Sequence, residues 1–174
     1  NWQMVQATDG LIYVANHGGI LEYDGVSWRL IEVPNYTVRS LAIDPKGTVF
    51  VGGTNEIGFL EPDSKGTPAY TSLCNYVPRN MKPFSSVWGT YAVDGYVWFD
   101  TSKYLFRWDP VHKEITGIPR EYRTFLVCRR RMFIRTRDTG LREITAVKEN
   151  RLISRPVPGG GIFSNMSIYA MIPL

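Results

Sequence analysis

Cysteine and histidine are nearly absent from this chain: 174 residues hold 2 of each. Two cysteines cannot build a disulfide scaffold. Cys128 falls in the apolar run Thr124–Cys128 and reads as a buried free thiol. Cys74 stands beside Asn75 in a loop, and whether the two thiols pair is left open. His17 and His112 lie in different turns, neither with a cysteine or carboxylate at ligand spacing, so no metal and no cofactor is expected. No run approaches the roughly eighteen apolar residues of a membrane span, and no charged-then-apolar targeting segment stands among the residues. No membrane contact is expected of these residues. Helical periodicity is missing too: no window of about twelve residues keeps apolar groups at i, i+3, i+4 and i+7, which excludes a solenoid of helices.

What remains is globular and rich in turns. Hydrophobic residues make up 44% and charged residues 21%, values that favour a packed core over disorder. Aromatics at 13%, with 16 Gly and 11 Pro, suit many short strands joined by tight turns. The formal net charge is +4, and its densest spot is Arg129, Arg130 and Arg131 with Arg135 and Arg137. No recognition helix, zinc spacing or aromatic RNA-binding signature accompanies these arginines, so they read as a solvated turn and strand edge and no nucleic-acid partner is expected.

A short cassette recurs four times: turn, β-rich run, turn, β-rich run, polar tail. The first copy runs Asp9-Gly10-Leu11-Ile12-Tyr13-Val14-Ala15-Asn16, then Gly19-Ile20-Leu21-Glu22-Tyr23-Asp24. The others centre on Val49-Phe50-Val51-Gly52-Gly53, Tyr96-Val97-Trp98-Phe99-Asp100 and Met132-Phe133-Ile134-Arg135. One strand marker (Ile12, Val49, Val97, Met132) steps by 37, 48 and 35 residues, and the next (Ile20, Phe59, Leu105, Leu141) by 39, 46 and 36. Both markers give one unit length and one insertion, placed at residues 75–86 where Pro78, Arg79, Lys82 and Pro83 interrupt any strand pattern. Each unit adds a leading strand with small residues (Ser40, Ala42, Gly89, Ala92), as close approach around an axis requires, and a wetter closing strand. Four strands per unit describe a propeller blade, so the expected fold is all-β: an arc of four four-stranded blades. Expected bounds are 1–37, 38–86, 87–121 and 122–166, with residues 167–174 as the inner strand of a fifth blade.

These residues carry a family resemblance. Gly18-Gly19-Ile20-Leu21-Glu22-Tyr23-Asp24-Gly25-Val26-Ser27-Trp28 resembles the first blade of the two-component-regulator propellers, the sensor half of bacterial hybrid histidine kinases and related triple-tyrosine-motif regulators. Val38-Arg39-Ser40-Leu41-Ala42-Ile43-Asp44, Phe50-Val51-Gly52-Gly53 and Asn55-Glu56-Ile57-Gly58-Phe59-Leu60 are similar to the second. The resemblance thins in the fourth blade, where Arg129 and Arg130 replace the usual Asp-Gly turn. It implies a seven-bladed parent, an extracytoplasmic or periplasmic location, and signal transduction through membrane and output parts that lie elsewhere.

No catalytic constellation can be assembled. Gly52-Gly53-Thr54 lacks the Lys-Ser/Thr ending of a phosphate loop. Asp9, Asp44, Asp94 and Asp109 occupy turns, where Asp bonds its own backbone. Trp28, Trp88, Trp98 and Trp108 fall in strands and are expected to fill blade packing. The candidate ligand residues are loop positions at one end of the second strands: Asn16, His17, Asn55, Glu56, Ser102, Lys103, Arg137 and Asp138. The expected function is a non-enzymatic sensor that recognises an extracytoplasmic ligand, a saccharide among those it could take. The alternative is a protein-interaction scaffold, and a carbohydrate-active or lactone-type propeller enzyme is a distant third. Exposed blade edges are expected to promote self-association.

Overall fold

Aspartate and glycine cut this chain into strands. Asp44 accepts from the backbone N–H of Lys46 and of Thr48, both at 2.9 Å, and Gly47 follows at φ +87°. Asp9 holds the N–H of Leu11 at 3.1 Å, and Asp109 those of Val111 and His112 at 2.9 and 3.1 Å. Each carboxylate closes the turn that feeds the next strand, as expected of Asp in such positions.

The computed structural model describes residues 2–172. They form four antiparallel sheets of four strands in consecutive order, none of them closed on itself. The first holds β1 (Met4–Gln6), β2 (Ile12–Asn16), β3 (Gly19–Tyr23) and β4 (Trp28–Ile31). The second holds β5 (Val38–Ile43), β6 (Val49–Gly53), β7 (Ile57–Pro62) and β8 (Pro68–Ser72). The third holds β9 (Val87–Val93), β10 (Tyr96–Thr101), β11 (Tyr104–Asp109) and β12 (Glu114–Pro119). The fourth holds β13 (Thr124–Cys128), β14 (Arg131–Thr136), β15 (Gly140–Lys148) and β16 (Arg151–Pro156). Helical structure among the described residues is limited to 3-10 turns at Cys74–Tyr76, Arg79–Met81 and Gly160–Ser164.

The chain divides into two compact units, Asn1–Gly117 and Ile118–Leu174. In the first unit, Tyr13, Ile20, Val38, Leu41, Val51 and Leu60 join the first two sheets in one buried cluster. A second cluster joins Phe50 and Ile57 to Phe99, Phe106 and Trp108. The small residues of the leading strands permit the close approach they promised. The Ser40 hydroxyl lies 2.8 Å from Thr90 Oγ1 and 3.2 Å from the Val87 carbonyl, and a Cβ on Gly52 would collide with both side chains and with Val87.

The insertion contributes to the core. Val77 and Phe84 are buried, and Phe84 meets Phe106 edge to face at 5.2 Å. Met81 packs over Gly117, where a Cβ would have no room.

In the second unit Leu126, Phe133 and Leu141 form one buried cluster among the described residues. The expected fifth inner strand is not formed over residues 167–172: these carry no strand assignment, and Ile168 and Met171 pack on that small core instead. A strand exists only through its ladder, and this segment meets side chains where it would need a neighbouring backbone. Pro173 and Leu174 lie outside the described residues. Cys74 and Cys128 are free thiols, and Cys128 is half-buried where full burial was expected.

Candidate functional site

One end of the second strands is where the sequence placed its candidate residues, and six of the eight belong to the first unit. Asn16 closes β2 and accepts from the Gly18 N–H at 3.1 Å. His17 follows it, exposed, with its ring centroid 5.5 Å from that of Trp2. Ser102 is exposed and accepts from Trp88 Nε1 at 3.0 Å. Lys103 sends its ammonium to the Pro83 carbonyl at 3.1 Å.

Asn55 and Glu56 point into the protein. Asn55 stands at φ +53°, donates its backbone N–H to the Ser85 carbonyl of the insertion at 2.9 Å, and takes the Ser85 N–H on its Oδ1 at 2.6 Å. Glu56 is 6% exposed, and it accepts from the Tyr70 hydroxyl at 2.9 Å and from the Ser72 hydroxyl. Burial first, and then the neighbouring Glu56 charge, push the Tyr70 phenol far above its usual range, so it remains a donor. Burial likewise raises the Cys74 thiol beside them, which keeps it protonated and unreactive. Arg137 and Asp138 occupy the exposed turn between β14 and β15 of the second unit, closed by a 2.7 Å contact between the Thr136 and Thr139 hydroxyls.

Two arginines of the basic spot, Arg131 and Arg135, are used internally. Arg131 and Arg155 both bind Glu143, and Arg135 donates to the Phe163 and Ser164 carbonyls at 2.8 and 2.9 Å. His112 bonds Asp109 at 2.8 Å.

Three further residues lie on the same rim. Arg39 sits between two indoles, its guanidinium carbon 4.4 Å from the Trp2 ring centroid and 4.8 Å from that of Trp88. With their neighbours they form a continuous row: His17, Trp2, Arg39, Trp88, Ser102. The expectation that Trp28 and Trp88 fill blade packing is corrected here, since they are 57% and 55% exposed while Trp98 and Trp108 are buried. A lone aromatic in a strand gives no sign of which side it faces. The clue available in sequence was positional: Trp2 stands 37 residues before Arg39, one repeat step.

No family model and no curated protein matches this chain. Solved structures do. The extracellular domain of BT4673 from B. thetaiotaomicron, a one-component-system candidate, aligns with a TM-score of 0.62 at 16% identity over 90% of this chain. Virginiamycin B lyase from Staphylococcus aureus aligns at 0.63 and 15% over 92%, and a streptogramin B lyase at 0.64 and 17% over 93%. This chain spans 22% of the BT4673 structure and 56% of each lyase. At these identities the likeness is one of fold. The chain has the propeller fold, and what it is similar to includes the extracellular domain of a one-component-system candidate.

Proposed function

We propose that this chain is a non-enzymatic recognition module, part of an extracytoplasmic sensor of the bacterial two-component type. The observation that carries the reading is the Trp2–Arg39–Trp88 row: a cation held between two indoles that stay 49% and 55% exposed on a propeller rim. Two half-exposed indoles set around one cation supply rigid stacking surface at low entropic cost. The two-component-regulator motifs and the extracellular neighbour support a periplasmic or otherwise extracytoplasmic setting. A saccharide, whose C–H faces stack on indoles, is one ligand class this rim suits.

The test is thermal unfolding followed by tryptophan fluorescence against a panel of small solutes. All 5 tryptophans lie in the first unit, so the signal reports the unit that carries the rim. A ligand present at about 100 times its Kd stabilises by about 2.7 kcal/mol, a readily measured rise in midpoint. A panel that includes neutral and acidic saccharides and leaves the midpoint unmoved would refute the reading. The interaction-scaffold alternative draws on β4, an edge strand on which Trp28 and Leu30 are about half exposed. A protein captured through that edge without any solute would favour it. The lyase neighbours bring the enzyme reading only a shared fold.

A further inference from the structure

Arg39 and Trp88 reach the rim by the same device. In the pairing of β5 with β6, Val38 faces Gly53 and Ser40 faces Gly52, which leaves Arg39 as the extra residue of a bulge. In the pairing of β9 with β10, Val87 faces Thr101 and Gly89 faces Asp100, which leaves Trp88 as the extra residue. Both are the second residue of a leading strand. A bulge re-aims one side chain out of the regular alternation, and bulges concentrate beside functional sites. Two at equivalent positions, aimed at one another, are not required by the ladder, which continues undisturbed beyond each.

The surroundings hold these side chains in place but leave the charge unanswered. Trp88 is oriented by its bond to Ser102, and Gln3, next to Trp2, ties itself to the β5 backbone by accepting from the Leu41 N–H at 3.0 Å. Arg39 makes no hydrogen bond and no ion pair among the described residues, and its Nε is buried without a partner. Of the acidic groups on this side, Glu56 is buried under Tyr70 and Ser72 and Asp100, which faces Gly89 in the β9–β10 ladder, is buried, while Lys103 and His17 add no negative charge. The row therefore presents a fixed, always-charged planar cation flanked by two apolar rings.

We infer that this rim binds a carboxylate carried on a flat-faced ring, the carboxylate taken by the Arg39 guanidinium and the ring laid against Trp2 or Trp88. The inference rests on the recognition reading above and names its ligand class. A guanidinium presents a fork of donors that matches a carboxylate, and it stacks on aromatic faces while doing so. An ammonium is a point charge without that fork. Two kinds of molecule share the required chemistry, a uronate sugar and an aromatic acid.

The experiment titrates the folded chain with digalacturonate, with phenylacetate and with neutral galactobiose, read by tryptophan fluorescence. At least one acid is expected to give a saturable change, with galactobiose weaker by about tenfold or more, the discrimination that a single charge-assisted contact supplies. Whichever acid binds more tightly identifies the source. R39Q is expected to lose about tenfold in affinity for that acid, and R39K to fall between because it keeps charge but not the fork. Far-ultraviolet spectra establish that the variants fold. Should R39Q fail to fold, the salt response of the unaltered chain decides, since affinity for the acid must fall as ionic strength rises. The inference is overturned if neither acid gives a saturable change, if galactobiose equals the acids, if R39Q binds as well as the parent, or if salt has no effect. A neutral solute that stabilises parent and R39Q alike would remove this site while leaving the recognition reading in place.

Discussion

Glu56 separates a structural role from a ligand role, because the sequence nominates it for the rim and the structure buries it. Its carboxylate takes the Tyr70 and Ser72 hydroxyls, and Ser72 Oγ in turn accepts from the Cys74 N–H at 3.2 Å, so one acid ties β8 to the β6–β7 turn and to the start of the insertion. Glu56→Ala strips the acceptor from two hydroxyls and leaves a small cavity. Each buried donor left without a partner costs about 1–3 kcal/mol, so the loss should total about 3 kcal/mol. Both hydroxyls donate to Oε1, so the amide oxygen of Glu56→Gln can accept both of them, and only the charge assistance is lost, about 1 kcal/mol.

The assay is urea unfolding followed by tryptophan fluorescence, which reports the first unit alone because every tryptophan is there. That restriction matters, since a chain of two compact units need not unfold in one step. The expected loss corresponds to a fall in midpoint of about 10 °C in a thermal scan. Ligand response, once found, should survive in Glu56→Gln under conditions where the variant is folded. A Glu56→Ala variant within about 0.5 kcal/mol of the parent would refute the reasoning, because surface substitutions fall in that range and a buried acceptor should not.

The turn between β13 and β14 places Arg129 at φ +48° and Arg130 at φ +62°, a conformation that L-residues adopt at a cost of about 1–2 kcal/mol each. The double replacement Arg129→Asn with Arg130→Gly suits a two-residue turn of that hand, and after the entropy of the new glycine it should stabilise the second unit by about 1 kcal/mol in urea unfolding followed by circular dichroism. Glu143, held at about 2 by hydrogen bonds from Arg131 and then Arg155, lies below its unfolded value. The stability it contributes is complete above about pH 4.5 and drains away as pH falls toward 2, so Glu143→Gln should lower stability in the neutral range and converge on the parent as pH falls toward 2, which flattens that acid limb in a pH series. On the β4 edge, Trp28 and Leu30 offer apolar surface beside unpaired backbone, and the chain is expected to self-associate there. Light scattering should show the mass fall when both are replaced by lysine, and an unchanged mass would remove that edge from the association.

How far the residues speak for themselves differs between the blades and the rim. Blade strands were legible because two signals coincide in each cassette: apolar alternation, and Asp or Gly where the turn needs a carboxylate cap or positive φ. Where one signal is missing the other suffices, as Arg129 and Arg130 show by making the turn with the wrong residues at an energetic cost. The insertion was legible as an interruption but not as core, since Val77 and Phe84, buried there, and Met81, packed against them, follow no period. The segment 167–172 has the apolar content of an inner strand, and part of it, Ile168 and Met171, packs on Leu126, Phe133 and Leu141 without a ladder, while Tyr169 and Ile172 stay exposed.

The rim residues lie beyond such reading for a specific reason. Alternation assigns Trp88 and Arg39 to a face only while the register holds, and both sit at the residue where it slips. A bulge leaves no mark in a single sequence, because the inserted residue looks like any other member of the strand. Of the eight nominated loop residues, His17 and Ser102 fall beside the row because they occupy turns that the ladder fixes. Asn55 and Glu56, two residues further round an equivalent turn, are drawn inward by the insertion and by β8. Regular pairing thus builds the platform in this protein, and two of its departures from regularity, at Arg39 and Trp88, aim side chains onto it. A search for sites in related propellers should start from the residues that the ladder skips.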